Sequence, residues 1–336
     1  NAQTKNLYEG YQLLACDGSN LTIAPNLNDP ETLWKSNQLG ATGNHLHLNA
    51  LYDVLNRTYI DALVQTASTY QEHRACIQMI ERVTLDKVIL IADRGYENYN
   101  IMSHAIEKGW KFLIRIKDVH SNGIASGLEL PQTAVFDMDI NLILTRNQTK
   151  SKKQAGYKFM PTVQTFDYLP IGSKEDYPIS FRIARFKIAD DSYETVITNL
   201  DLFCFSAEKL KELYHLRWGI ETSFRELKYA IGLTSFHAKK VDYIKQEIFA
   251  RLTLYNYCEL ITTYVVEHTE NISKKNQVNF TIAIYICREY LRRKRKLRPP
   301  DVVKLIEKHI LPIRPGRRDP RKVKPQASVS FLYRVA

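Results

Sequence analysis

Three carboxylates in this sequence sit where they can do chemistry. Asp17 in ACDGS and Asp93 in IADRGY each follow an apolar run, and Glu221 lies in YHLRWGIETSFRELKYAIG, residues 214–232. A carboxylate leaving a hydrophobic strand is either hydrogen-bonded into a turn or exposed at a site. Both readings stand for Asp17 and Asp93 taken singly, and Asp61 and Asp86 have similar local settings. Glu221 discriminates. On a wheel of about 100° per residue with Tyr214 at zero, Arg217, Glu221 and Lys228 fall at roughly 300°, 340° and 320°. Leu213, Leu216, Ile220, Phe224, Leu227 and Ile231 form a stripe at roughly 200–280°, so the polar strip borders the buried face. Salt bridges on a solvated face would account for Glu221 with Arg217 or Arg225 at only about 0.3–0.5 kcal/mol each. They do not explain why all four polar groups border the core. Two strand-end acids and one helical acid can converge on hard divalent cations, with Mg²⁺ or Mn²⁺ suited to oxygen ligands. Two such ions about 3.5–4 Å apart suit phosphodiester chemistry. Arg217 as a bidentate fork and Lys228 as a point charge would then hold phosphates. Trp218, near 40°, either presents its ring to a ligand or packs in the core or at the rim, and Arg225, near 20°, is a further contact candidate from geometry.

Positioning these groups requires strands that end in acids and a helix that brings the third acid to them. YQLLACDGSNLTI, residues 11–23, reads as a strand that ends or bends at Asp17-Gly18-Ser19. Residues 45–55 and 58–67 read as strands joined by an Asn56-Arg57 turn. Residues 71–83 have helical spacing, and KVILIADRGY has the continuous apolar run of a strand buried on both faces. Residues 98–110 form a helix closed by Gly109, and 111–118 resume as strand. Between 118 and 190, short alternating runs separated by turns predict a β-rich unit. A strand at 193–201 precedes the helix of interest, for which Ser206 is the expected N-cap. Helices follow at 241–268, 278–296 and 301–311. The expected class is therefore α/β, with a mixed sheet covered by helices as in a ribonuclease-H-like core. Asp93 and Glu221 are 128 residues apart, whereas a helix, a strand, half a helix and short loops need only roughly 40–50. The β-rich stretch is thus expected to be an insertion. The expected organisation is a first core part over 1–117, the insertion over 118–190, a second core part over 191–240, and a helical C-terminal region with a basic tail over 241–336.

The spacing Tyr214-x2-Arg217-x3-Glu221-x6-Lys228 resembles the Tyr-Arg-Glu-Lys signature of bacterial insertion-sequence transposases of the Asp-Asp-Glu class. DGS around Asp17 and DRGY around Asp93 are similar to that family's first and second acid motifs, in the same order, and IGLTSFHAKK after the helix is also similar. The resemblance runs from about Tyr11 to Lys240. It implies a metal-dependent enzyme in which Asp17, Asp93 and Glu221 bind two Mg²⁺ ions, Mn²⁺ being able to substitute. Water would cleave the phosphodiester at a transposon end, and the freed 3′-hydroxyl would attack another strand. Tyr214, Arg217 and Lys228 would grip phosphates at the cleaved end. It further implies double-stranded DNA as partner, a homodimer on paired ends, and a bacterial cytoplasmic, nucleoid-associated location. Two rivals stand beside it: a nuclease that cuts without joining, and a non-catalytic DNA-binding inhibitor of transposition. The chain opens at Asn1, and only 16 residues precede Asp17. Recognition of DNA ends is therefore expected either upstream of this sequence or in the insertion and the basic C-terminal segment.

Composition is compatible with this. The net charge is +11, and between Arg288 and Lys324 there are 15 Lys and Arg against 4 Asp and Glu, so the rest of the chain is neutral overall. The excess lies in Arg292, Arg293, Lys294, Arg295 and Lys296 and in RPGRRDPRKVKP at 314–325, either a nucleic-acid footprint or a solubilising tail. The longest apolar run, VILIA at 88–92, is far below the ~18 residues of a membrane span. Five scattered cysteines without a CxxC pair point to reduced, mostly buried thiols. His45 and His47 alternate on a strand without Cys or His partners for zinc.

Overall fold

The computed structural model describes residues 6–35, 42–119, 121–149, 152, 157–268, 276–293 and 298–312. The expected mixed α/β architecture is present, with one ten-stranded sheet and helices on both of its faces. At its centre lie β1 (Gln12–Ile23), β3 (Thr42–Asp53), β4 (Thr58–Thr66), β5 (Val88–Ala92) and β6 (Lys111–Arg115). β1 runs antiparallel to β3 and parallel to β5, β4 pairs with β3, and β5 runs parallel to β6. A short strand, β2 (Leu33–Lys35), adds to β3. β5 is apolar throughout and fully buried, as its sequence requires.

The segment 118–190 supplies β7 (Phe136–Thr145), β8 (Tyr157–Phe159) and the whole of β9 (Asp176–Ala189). These strands continue the same sheet, because β9 pairs with β10 (Ser192–Thr198) and β10 pairs with β6. Arg182 of β9 is buried; it pairs with Asp137 of β7 and donates to the Phe205 carbonyl at 2.6 Å. This contact ties the outer strands to the loop that enters the next helix.

Side-chain alternation along the strands divides the core. Leu14, Cys16, Leu90 and Ala92 face α1 (Glu72–Arg82) and α2 (Tyr99–Glu107). Leu13, Ile89 and Ile91 pack with α3 (Ala207–Leu216). Ala15, Leu46, Leu48 and Ala50 pack with α4 (Trp218–Tyr229) and α5 (Val241–His268), beyond which come α6 (Phe280–Arg292) and α7 (Val302–Glu307). A two-stranded sheet, β11 (Asn276–Val278) with β12 (Ile310–Pro312), completes this side. Ser206 caps α3 by accepting from the Lys209 amide, and Gly109 at φ +75° follows the end of α2. All five cysteines are free, and only Cys204 is exposed. Among the described residues no helix is long and apolar enough to cross a membrane.

Two expectations are corrected. DGS neither ends nor bends β1, which pairs with β3 without interruption from Leu14↔Asp53 to Ile23↔Asn44. Asp17 therefore sits in mid-strand, where the buried half of β1 gives way to a half-buried one. The stretch 214–232 is also not one helix. α3 stops at Leu216, and Arg217 forms a tighter junction in which its amide bonds to the Tyr214 carbonyl and its own carbonyl accepts from the Ile220 amide, both at 3.1 Å.

Arg57, in the β3–β4 turn at φ +53°, reaches 202 residues along the chain to Glu259 of α5, at 2.7 and 3.0 Å, and also to Glu226 of α4 at 3.3 Å. Tyr255 donates to Glu226 at 2.9 Å, and Tyr59 and Ser223 hydroxyls lie 2.8 Å apart. Glu259 is 2 % exposed, so it depends on Arg57 for its charge. Arg57→Ala is expected to lower stability in urea unfolding by about 3 kcal/mol, because it strands a buried carboxylate. A loss below about 0.5 kcal/mol would show that Glu259 is already neutral there.

Candidate active site

Strand register brings the first two acids together. β1 and β5 are parallel neighbours in register at Cys16↔Ala92, so Asp17 and Asp93 each lie one residue further on strands about 4.8 Å apart. Alternation places both on the side of Leu13, Ile89 and Ile91, away from α1. Asp17 accepts from the Gly18 amide at 2.8 Å. Asp93 accepts from the Gly95 amide at 2.7 Å and so caps the short 3-10 turn Arg94–Tyr96. Of the two readings of Asp93 in the sequence, the turn role is the one these contacts show.

α4 packs on β1 and delivers Glu221 to the same edge. Arg217, only 3 % exposed, lies between two of the acids: its guanidinium is 2.7 Å from Glu221 and 3.6 Å from Asp17. Burial pushes the Asp17 carboxyl up to about 6; the Gly18 amide and Arg217 pull it down, and the negative charges of Asp93 and Glu221 push it up further. Asp17 therefore feels both of the other acids. Tyr214 is buried, not exposed to a ligand as a phosphate grip would have it. Two guanidinium groups lie near its ring, Arg217 at 5.7 Å and Arg115 at 5.8 Å from the centroid. Burial raises its hydroxyl above the usual phenol range. The Tyr214 hydroxyl and Arg217 Nε are both buried and find no hydrogen-bond partner among the described residues.

An open cleft of about 630 Å³ runs past Asp17 and Glu221 and is lined further by Gly18, Ser19, Trp218, Thr222, Phe224, Arg225, Lys228 and Tyr229; Asp93, Tyr214 and Arg217 are not in its lining. Arg225 is exposed there, and Lys228 is half-buried, its ammonium pushed below the usual range by burial. Trp218 is 52 % exposed and carries Arg217 against its ring at 5.2 Å. Arg292 and Arg293 lie at the end of α6 and do not line this cleft; Arg292 pairs with Glu289 at 3.8 Å. Lys294, Arg295, Lys296 and the basic run 314–325 lie outside the described residues. Asp61 is taken up by an ion pair with Arg82 at 2.9 Å, which removes it as a rival acid.

The donor type fits a hard divalent cation, since all three groups are carboxylates, two of them follow neighbouring parallel strand positions and a buried cation lies between Asp17 and Glu221. As the side chains stand, no three His, Cys, Asp or Glu among the described residues are drawn close enough to hold an ion. Arg217 supplies the positive charge instead. Residues without a sequence signal also shape the site. Arg115 lies 5.8 Å from the Tyr214 ring centroid, and His47 packs on Gly18 so closely that a Cβ there would lie 2.4 Å from Nε2.

A mixed α/β fold with Asp17 and Glu221 facing Arg225 and Lys228 across one cleft sets the frame, and comparison defines the family. The family described as the transposase DDE domain matches residues 8–257, and the chain belongs to it. Over 178 residues the chain is 23 % identical to the probable transposase for insertion sequence element IS5377 of Geobacillus stearothermophilus, covering 52 % of this chain and 40 % of that protein. Among solved structures, the piggyBac transposase synaptic complex with hairpin DNA is similar over 92 % of this chain and 59 % of that one, at 10 % identity and a TM-score of 0.49. The chain therefore spans less than half the length of that curated relative.

Gly18→Ala is expected to displace His47 and cost about 1–3 kcal/mol, as overpacking of a fixed ring does. Thermal unfolding checks this; an unchanged midpoint would mean that the ring moves freely.

Proposed function

We propose that this chain is the catalytic domain of a DNA transposase that cuts phosphodiesters at transposon ends and joins the freed 3′-hydroxyl to a target, moving its element by cut-and-paste. The observation that carries this reading is the adjacency of Asp17 and Asp93 on parallel strands, with Glu221 bridged to Asp17 through Arg217, in a chain of the transposase DDE domain family. The Tyr214, Arg217, Glu221 and Lys228 spacing supports placement in the Tyr-Arg-Glu-Lys subgroup. Three antiparallel strands, β4, β3 and β1, followed by parallel β5 and β6 support a ribonuclease-H-like core. In that reading 1–117 and 191–240 form the core, 118–190 is an insertion that extends its sheet, and 241–336 is the helical, basic C-terminal region.

Asp17, Asp93 and Glu221 would hold two Mg²⁺ ions, or Mn²⁺. Bound there, the ions would supply Lewis-acid stabilisation of the attacking and leaving oxygens. Arg217 balances the acids and holds Glu221 to the β1 edge. Lys228 and Arg225 receive backbone phosphates along the cleft, and a phosphate beside Lys228 restores the charge that burial disfavours. Trp218 offers its open face to an unpaired base. Tyr214 acts behind Arg217, setting its plane by stacking. The DNA partner is double-stranded, and the working form is a homodimer on paired ends, associated with the nucleoid of a bacterial cytoplasm.

Cleavage and joining of a labelled duplex carrying the element's own terminal sequence, in Mg²⁺, tests this. Asp17→Asn, Asp93→Asn and Glu221→Gln should each lower both steps by about three orders of magnitude or more while leaving DNA binding intact. Activity retained in any one of them removes that residue from the site. Cutting without joining in the wild type would reduce the protein to a nuclease. Lys228→Ala and Arg225→Ala should each flatten the salt dependence of DNA binding by about one ion. Weaker binding at unchanged slope would make them supporting residues instead.

A further inference from the structure

The first turn of α1 touches both acid-bearing segments, from the sheet face opposite the cleft. His73 Nε2 lies 2.6 Å from the Gly95 carbonyl oxygen, and its Nδ1 lies 3.2 Å from the Asn98 side-chain amide. A carbonyl accepts only, so Nε2 carries the proton, and Nδ1 accepts from Asn98. Gly95 is the residue whose amide holds Asp93. Asn98 is itself fixed, because its side-chain oxygen caps α2 by accepting from the Asn100 amide at 2.7 Å. The preceding residue does the equivalent for the other acid. Glu72 lies 3.0 Å from His47 Nε2, a charge contact without hydrogen-bond geometry, and His47 Nδ1 is hydrogen-bonded to Asn20 on β1 at 2.7 Å. The His47 ring stacks on Tyr70 and rests on Gly18, whose amide holds Asp17.

We infer that Glu72 and His73 are positioning residues that bracket the two strand-borne acids, His73 by fixing the Gly95 peptide against Asp93 and Glu72 by fixing His47 against Gly18. Neither touches a reacting atom. Each acts through one peptide, and adjacent positions on one helix keep the two peptides in a constant relation. Hydrogen-bonded supports of this kind set the orientation of carboxylates that take up metal, and their loss typically costs 10- to 100-fold in affinity. The inference rests on the reading of Asp93 as a metal-binding acid.

Two measurements on the full chain test it. Mn²⁺ binding, followed by the paramagnetic resonance of the free ion, is compared for wild type, His73→Ala, His73→Gln and Asp93→Asn, with thermal unfolding of each. His73→Ala should bind Mn²⁺ about tenfold more weakly, and His73→Gln should recover most of that loss because its amide can donate to the Gly95 carbonyl. If His73→Ala binds as tightly as wild type while Asp93→Asn does not, the positioning role is overturned and the acid site stands. If Asp93→Asn also binds like wild type, or wild type binds no Mn²⁺, the acid site itself is overturned. Nitrogen-15 NMR of the wild type supplies the second measurement, which does not depend on any variant folding. The Nε2-protonated neutral form of His73 is expected, and an Nδ1-protonated form overturns the bracket.

Discussion

The guanidinium of Arg217 is the interaction on which the site depends. It is nearly sealed from solvent, yet it lies beside Asp17 and Glu221 and feels Tyr214 as well. Three carboxylates at one edge repel one another, and Asp17 also bears the cost of burial. A cation between two of them lowers that cost far more than an exposed pair would, because water does not screen it. The tight turn that separates α3 from α4 falls at this residue. The helix junction and the charge balance are thus one feature: α3 anchors Tyr214 under the guanidinium, and α4 carries Glu221 forward to meet it.

The sheet supplies the rigidity that a charge cluster needs. Asp17 and Asp93 gain their relation from backbone register, which a side-chain rotation does not change. α4 is fixed to the β3–β4 hairpin at its far end by Arg57, Glu226, Glu259 and Tyr255, so Glu221 sits on an element held at both ends. From the opposite face α1 reaches the peptides that follow each acid. The outer strands β7 to β9 add to the same sheet, and Arg182 links them to the entry of α3.

Much of this frame was legible in local pattern. The Asn56-Arg57 hairpin, the buried β5, the Ser206 cap, the Gly109 stop and the 28-residue α5 all follow from periodicity and turn chemistry. Type and spacing single out Asp17, Asp93 and Glu221; in the folded chain Asp17 and Asp93 follow paired strand positions, and Glu221 shares Arg217 with Asp17. What failed were local rules overridden by pairing. DGS carries turn residues, but ten consecutive partners on β3 keep β1 extended through them. The break at Arg217 has no proline, and the nearby Gly219 packs against Val54 instead of forming the break. Arg57 with Glu259, and His73 with Gly95, join residues far apart in sequence, for which no periodicity gives a signal.

The central claim is that Asp17, Asp93 and Glu221 form one cation site. Iron-directed backbone cleavage tests it most directly: Fe²⁺ is bound in place of Mg²⁺, and ascorbate and peroxide then cut the chain wherever the ion sits. The account predicts three clusters of cuts, near residues 17, 93 and 221, all suppressed together by excess Mg²⁺ and all lost in Asp93→Asn. Cuts at only one of these segments, or at sites elsewhere that Mg²⁺ suppresses, would contradict it.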